Sequence, residues 1–388
     1  MMQPTQMVSK PPSYYIRRRL GQNKPAMFGL FIIVVSGIIA LLGYLILPDA
    51  TTNANNSIVQ LQKQPPGFSV MVLKLPLGEK KKSPNILEKM LFGKEQDFTE
   101  IPIQKYTISG DYIIITPFEQ SNAFPVGAQN LSLKKLSAKA SREQRVKQFL
   151  DNLVYHKTYW LGTDNAGRDV LSRLLLGTRI SLGIGLVAVL ISVLLGITVG
   201  AIAGFFGGWL DKLMMFLMTV VWSVPGIMLV IAISLALNSK GIWVSFVAVG
   251  LTMWVDVARV VRGQFLSLKE KTYIEAAMVL GLPQYRIIVK HILPNMVGPL
   301  IVIATANFAS AILMEAGLSF LGLGVQPPAP SWGMMVNEGF QLIGARASLF
   351  LVILPSGCIS LLVLSFNLLG NGLRDAYDPK ILLTGTGS

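Results

Sequence analysis

The chain has 388 residues, of which 52% are hydrophobic and only 14% charged. Soluble domains carry about a quarter charged residues, so this deficit points to surfaces facing lipid. One cysteine, Cys358, excludes an intrachain disulfide framework or cysteine metal site, and His156 and His291 lie too far apart for ligand spacing. The net charge of +14 does not read as nucleic-acid binding, because the basic residues flank apolar runs without interleaved stacking aromatics.

Six stretches are long and apolar enough to cross a bilayer: 26–47, 180–203, 213–237, 242–257, 297–321 and 349–369. The first exceeds the apolar core of a cleaved signal and follows a 25-residue tail (1–25), so it reads as a retained anchor. The fourth is short, and its inner end is blurred by Asp256 and Arg259. Orientation follows the basic residues of short flanks. Lys10, Arg17, Arg18, Arg19 and Lys24 precede the first span. Arg259, Arg262, Lys269, Lys271, Arg286 and Lys290 lie between the fourth and fifth, whereas short loops of opposite parity offer Lys240 and Arg346. Both termini are therefore expected in the cytoplasm.

Residues 48–158 form an extracytoplasmic insert with 15 Lys and Arg against 10 Asp and Glu. Residues 106–117 alternate around Ser109-Gly110-Asp111, which suggests a hairpin. Ser141 and Gln144 have capping-box spacing ahead of Val146, Phe149, Leu150, Leu153 and Val154, which share a helical face. An α+β domain is expected, either docking on something apolar or elaborating the surface without a distinct role. In the stretch D-N-A-G-R-D-V-L-S-R-L-L-L-G-T-R-I (164–180), Val170, Leu171, Leu174 and Leu175 share one face, as in a helix lying in the outer interface.

Gly196, Gly200 and Gly204 allow the second span to approach a neighbouring helix, within this chain or in a second subunit. Pro225 and Pro355 are expected to kink the third and sixth spans. Asp256, Asn307 and Glu315 are polar groups in or near spans; water or Arg259 could satisfy the acids at span ends. Pro225, Asn307 and Glu315 are the candidates for a translocation path or gate.

The cytoplasmic loop 259–296 contains K-T-Y-I-E-A-A-M-V-L-G-L-P (271–283). Thr272 and Glu275 have capping-box spacing, Ala276 to Leu280 propagate a helix, Gly281 ends it in left-handed backbone, and Pro283 opens the next. Two short helices meeting at a bend are expected, packed on a second protein, on the membrane surface or on the chain's own loops. No G-x-x-x-x-G-K-[ST] loop, nucleophile elbow or triad signature occurs, so no catalytic site is expected.

The pattern from Glu275, Ala276 and Ala277 through Gly281 to Ile292, Leu293 and Pro294 resembles the signature loop of membrane subunits of ABC importers. L-G-T-D-N-A-G-R-D-V-L-S-R-L-L-L-G-T-R-I-S-L (161–182) and S-F-L-G-L-G-V-Q-P-P-A-P-S-W-G (319–333) are similar to C-type permeases of the dipeptide and oligopeptide branch. The resemblance covers the first span and roughly residues 160–380, and the insert is longer than usual for it. It implies an all-α polytopic membrane protein of the type I importer permease fold. Six transmembrane helices would be joined by the α+β insert, with a permease core at 159–380 and a C-terminal tail at 381–388. The implied location is the bacterial inner membrane. The implied coupling residues are Thr272, Glu275, Ala276, Ala277, Gly281, Ile292, Leu293 and Pro294. The implied partners are a B-type permease, two ATP-binding subunits, an extracytoplasmic substrate-binding protein and membrane lipids. No cofactor is expected on this chain; ATP and Mg2+ belong to the partner subunits. The cargo could be a dipeptide, an oligopeptide, a nickel chelate or another solute. A stand-alone secondary carrier or channel is the alternative, although no internal repeat is visible. A membrane-anchored sensor would leave five spans unexplained.

Overall fold

The computed structural model describes residues 12–76, 84–109, 112–118, 129–132, 143, 151, 153–239, 241–344 and 349–378. In chain order the helices are α1 (Pro12–Gln22), α2 (Lys24–Leu42), α3 (Ile86–Phe92), α4 (Val170–Phe206), α5 (Gly208–Trp222) and α6 (Gly226–Ala236). They continue with α7 (Ile242–Lys269), α8 (Thr272–Val279), α9 (Gln284–Phe320), α10 (Trp332–Phe340) and α11 (Leu349–Tyr377). The chain divides into two compact units, one of residues 1–38, 180–326 and 357–388, the other of 39–179 and 327–356.

The first unit is helical, and its contacts give each helix a direction. On α4, a Cβ at Gly196, Gly200 or Gly204 would lie 2.4 Å from the Val257 Cβ, 2.5 Å from the Ala258 carbonyl oxygen and 2.5 Å from the Phe265 Cβ. Partner numbers on α7 rise together with those on α4, so the two helices run parallel. The chain must therefore cross back between them. It does so through α5 and α6, which bend by 91° at their junction. Asp211 at the start of α5 pairs with Arg262 near the end of α7, at 2.5 and 2.7 Å. Further along, Met218 packs with Val255 and Ala258, and Val230 of α6 packs with Ala248 and Val249. The bent pair thus runs antiparallel to α7 as one broken crossing.

The same logic orders the remaining helices. Ile292 and Met296 cluster with Val257, Val261 and Phe265, whereas Ala311 clusters with Ala248 and Val249, so α9 returns antiparallel to α7. Gly298 faces Tyr377 and Gly370 faces Thr305, which reverses α11 against α9. Gly29 lies against the Ser365 carbonyl and Ala26 against Gly372, which reverses α2 against α11. Among the described residues five helices are long and apolar enough to cross a bilayer, and the bent pair, taken as one span, makes six. The start of α2, the end of α11 and α8 fall on one side.

Three expectations change. The third span is not a single helix over 213–237: Pro225 supplies no amide hydrogen and sits at φ −53°, ψ 129°, ending α5 before α6 begins. The fourth does not stop at Val257 but continues through Arg259 and Arg262 to Lys269. The stretch 164–180 is not an interfacial helix, because from Val170 it is continuous with α4 and buries Ser172 and Arg173 as well as Val170 and Leu174. Pro355 lies inside α11, which continues on both sides of it.

The second unit holds an antiparallel sheet ordered β4-β3-β2-β1-β5, from β1 (Phe68–Pro76), β2 (Phe98–Ser109), β3 (Tyr112–Pro117), β4 (Gln129–Ser132) and β5 (Val154–Tyr159). β1 is buried on both faces, with Val70 and Val72 on Ile58, Leu61 and Tyr159, and Leu73 on Ile103, Ile113 and Ile115. The expected hairpin forms, with Ser109 opposite Tyr112; Gly110 and Asp111 lie outside the described residues. So do Ser141, Gln144, Val146, Phe149 and Leu150 of the expected amphipathic helix, while Val154 pairs with Leu73 as strand instead.

Glu100 knits the sheet edge to its flank, accepting from Lys157 at 2.6 Å, from Asn56 at 2.8 Å and from the Tyr155 hydroxyl. Burial, the largest single influence, pushes the Glu100 carboxyl up, but the Lys157 charge and the three hydrogen bonds outweigh it and hold it below the usual glutamate range.

Two outcomes are expected. Gly200→Val places a side chain against the Ala258 carbonyl and Val261, costing about 1–3 kcal/mol by overpacking; a lower detergent melting temperature than the parent would register it. A carboxyl depressed on folding gives stability that is complete above its unfolded pKa and lost as pH falls through the folded value. Melting temperature should therefore fall on acidification, and Glu100→Gln should flatten that acid limb.

Candidate functional site

The motif of loop 259–296 folds as a short helix fixed along one side. Lys271 is the N-cap of α8, with φ −81° and ψ 137°, and Thr272 is already helical. The expected Thr272–Glu275 capping box is therefore not formed, since a hydroxyl at the first helical residue is past the cap position. The C-terminus closes as expected: Gly281 has φ +72°, its amide donates to Met278 and the Leu282 amide to Ala277. That is the paired bond pattern of a Schellman end. Pro283 caps the next helix rather than occupying its first turn.

Ile274 and Ala277, one turn apart, are the buried side of α8. They join Ala201 and Phe205 of α4, Val257, Val261 and Phe265 of α7, and Ile287, Ile292 and Met296 of α9 in one apolar cluster. Ile292, Leu293 and Pro294 belong to the same arrangement. Ile292 is fully buried, Leu293 packs beside it, and Pro294 has no amide hydrogen to give. Locally the helix passes through a π turn (Ile287–Ile292) and a 3-10 turn (Leu293–Met296). Asn295 Nδ2 donates to the His291 carbonyl at 2.6 Å and lies 3.4 Å from the Tyr273 hydroxyl, tying α9 to α8. The opposite side of α8 is bare: Glu275 and Ala276 are exposed, with Val279 88% and Leu280 81% exposed.

The other candidates lie elsewhere. Pro225 is at the bend of the broken crossing. Asn307 is buried and its Nδ2 lies 3.4 Å from the Met253 carbonyl; Glu315 is buried and accepts from Ser319 Oγ at 2.7 Å. Both turn into the chain's own packing. Asp256 stands exposed on α7. A largely apolar cavity of about 1000 Å3 has Gln264, Asn295, Asn367, Asn371 and Arg374 among its lining residues. None of these five was singled out from the sequence, yet Asn367, Asn371 and Arg374 recur at helical spacing in an apolar span, a readable signal of a face turned from lipid.

In the second unit, D-N-A-G-R-D builds a buried ionic knot. Asp164 accepts from the Ala166 and Arg168 amides and from Arg168 Nε at 2.6 Å. Arg168 reaches Glu338 at 3.0 Å, and the fully buried Arg173 lies 3.4 Å from both Asp164 and Glu338. Asp169 caps α4 through the Ser172 amide, and Ser172 Oγ accepts from the Asp49 amide. Burial pushes the Asp169 carboxyl up, although the Ser172 bonds oppose it. Among the described residues no cluster of three or more His, Cys, Asp or Glu is arranged to hold a metal ion.

Comparison with known proteins shows the family. Residues 196–383 match the model of the family described as binding-protein-dependent transport system inner membrane component. Residues 12–66 match that of the N-terminal TM domain of oligopeptide transport permease C. The glutathione transport system permease protein GsiD of Pectobacterium atrosepticum is 44% identical over 225 residues, which is 58% of this chain and 73% of the relative. GsiD of Shigella flexneri serotype 5b is 47% identical over 227 residues, again 58% and 73%. An inward-facing structure of the MetNI methionine ABC transporter aligns with a TM-score of 0.45 at 18% identity, covering 54% of this chain and 98% of that one.

The two sides of α8 should respond differently to substitution. Ile274→Ala removes the main anchor, at about 2–5 kcal/mol for a buried large-to-small change, and should speed amide hydrogen exchange throughout 272–282. Val279→Ser on the bare side should leave that exchange unchanged.

Proposed function

Because the chain belongs to the family of binding-protein-dependent transport system inner membrane components, as a permease of ATP-driven importers, we propose that it forms half of a pathway for short peptides and receives its drive through α8. The observation that carries this reading is the division of α8 into a side fastened to three crossing helices and a bare aliphatic side. Pushing on the bare side moves α4, α7 and α9 together. Val279 and Leu280 have no reason to stand in water in a chain acting alone; a groove on an ATP-binding subunit would cover them.

Family membership brings ATP-binding subunits and a substrate-binding protein as partners. A B-type permease and a pair of ATP-binding subunits complete the assembly in our reading, with ATP and Mg2+ held by those subunits. Thr272, Glu275, Ala276, Ala277, Gly281, Ile292, Leu293 and Pro294 divide the coupling work. Glu275 and Ala276 meet the partner; Ala277, Ile292 and Leu293 pass the movement inward; Gly281 and Pro294 set the backbone that holds α8 at its angle. Peptide cargo is supported by the oligopeptide permease match and by relatives named for glutathione, itself a tripeptide. The cavity bearing Gln264, Asn295, Asn367, Asn371 and Arg374 suits the inner end of such a route, since carboxamides pair with peptide groups and a guanidinium with a carboxylate. Pro225 at the broken crossing is the gate candidate. α8, the start of α2 and the end of α11 share one side, and the basic residues of the tail and of 259–296 support reading that side as the cytoplasm, with both termini there, of a bacterial inner-membrane protein.

The test is a Cys358→Ala, Ala276→Cys chain in native membranes, crosslinked from position 276. An adduct with an ATP-binding subunit is expected. Gly281→Val, whose added Cβ meets nothing within 4 Å but must sit at φ +72°, should cost about 1–3 kcal/mol locally and lower ATP-dependent uptake without preventing insertion. No adduct, together with parental uptake by Gly281→Val, would overturn the reading.

A further inference from the structure

α3 is a seven-residue helix in the insert, bounded by Asn85, whose amide donates to Glu88, and by Gly93, which closes its C-terminus at φ +81°. A helix this short needs support from elsewhere. The support comes from the outer end of α2. Arg179 on α4 donates to the carbonyls of Ala40 and Leu41 and also to those of Met90 and Leu91. Gly43 lies so close that a Cβ there would be 2.8 Å from the Met90 carbonyl oxygen, and the Tyr44 ring packs on Gly93.

Four large apolar side chains of α3 nevertheless stay uncovered: Ile86, Leu87, Leu91 and Phe92 are 76%, 69%, 50% and 68% exposed. Their level along the membrane normal is fixed by what holds them. The 19 residues of α2 rise about 28 Å at 1.5 Å per residue, close to the roughly 30 Å of a bilayer's hydrocarbon core. The segment just after Leu42, on which α3 rests, is therefore where the chain leaves the hydrocarbon. The exposed row on α2 (Phe31, Val34, Ile38, Leu41) continues through Leu45 and Ile46 to the same level.

We propose that α3 is a membrane-interface anchor, its bare side chains inserted among the acyl-chain ends and headgroups of the outer leaflet beside the first crossing. The occupant is lipid because the surface continues a lipid-facing one at a depth set by Arg179. The anchor holds the insert against the bilayer at a second point besides its covalent attachments, whatever the cargo of the pathway.

The test uses the full chain with Cys358→Ala and a nitroxide at Phe92→Cys, in liposomes containing anionic lipid. Relaxation enhancement by oxygen, which concentrates in lipid, is compared with that by a water-soluble nickel chelate. Labels at Phe31→Cys on α2 and Tyr112→Cys on β3 serve as lipid and water references. The oxygen-to-nickel ratio at Phe92 is expected several-fold above that at Tyr112 and close to that at Phe31. A ratio equal to that at Tyr112 would overturn the anchor. So would a label accessible to the nickel chelate in the lone chain and closed to both reagents once partner subunits are added, since a protein would then be the occupant.

Discussion

An eight-residue helix has almost no stability of its own in water, and α8 exists because Ile274 and Ala277 are buried where three crossing helices meet. Burying an isoleucine contributes about 1.5–3 kcal/mol, comparable with the backbone entropy cost of ordering one or two residues. The Schellman end at Gly281 then satisfies carbonyls that solvent would otherwise take. One side of α8 is thereby spent on its own support, which leaves Ala276, Val279 and Leu280 exposed. Rigidity and exposure come from the same arrangement: the buried side fixes the helix and the other side stays open.

The glycines of α4 set the wider geometry. With side chains at Gly196, Gly200 and Gly204, α4 could not reach the α7 backbone, and Ala201 and Phe205 would not meet Ile274. Close parallel packing of two crossings requires a return between them, and here the return is broken. At the break Ser223 Oγ donates to the Val220 carbonyl at 2.7 Å, meeting part of the demand that a freed backbone makes within a membrane. The two halves of the return pack on different stretches of α7, α5 on Trp254 to Arg262 and α6 on Ala248 to Met253. A crossing divided in this way can alter its bend without sliding its whole length.

Much of this was legible in the sequence, and the exceptions have physical causes. Apolar length located the crossings because lipid imposes it on every helix. Gly281 and Pro283 located the bend because few residues tolerate such backbone. Ile274 was not legible as the anchor: Tyr273, Ile274, Met278, Val279 and Leu280 surround α8, so no face stands out by periodicity. Pro225 announced a kink but not a 91° break, whose size depends on what each half packs against. The face Val170, Leu171, Leu174 and Leu175 had the right period for an interfacial helix. What period cannot show is that Arg173 on the other side is neutralised by Glu338, 165 residues away.

That distant pairing explains why two stretches that look independent in sequence form a single device. Trp332 Nε1 donates to the Leu174 carbonyl at 2.9 Å, and its ring lies where a Cβ on Gly177 would be. Arg168 and Arg173 reach from the D-N-A-G-R-D-V-L-S-R stretch to Glu338 on α10. Two guanidinium groups and two carboxylates balance in charge, so burial is tolerated only with all four present; losing one strands an uncompensated charge at about 3–5 kcal/mol. A buried network of this kind adds less stability than well-packed apolar residues would, but it admits one geometry. Gly167 states the same requirement in the backbone: at φ +74°, a Cβ there would lie 1.9 Å from the Ile58 carbonyl oxygen. The start of α4 and the whole of α10 are thus held in a fixed relation by charge and close approach, and neither stretch has that geometry without the other.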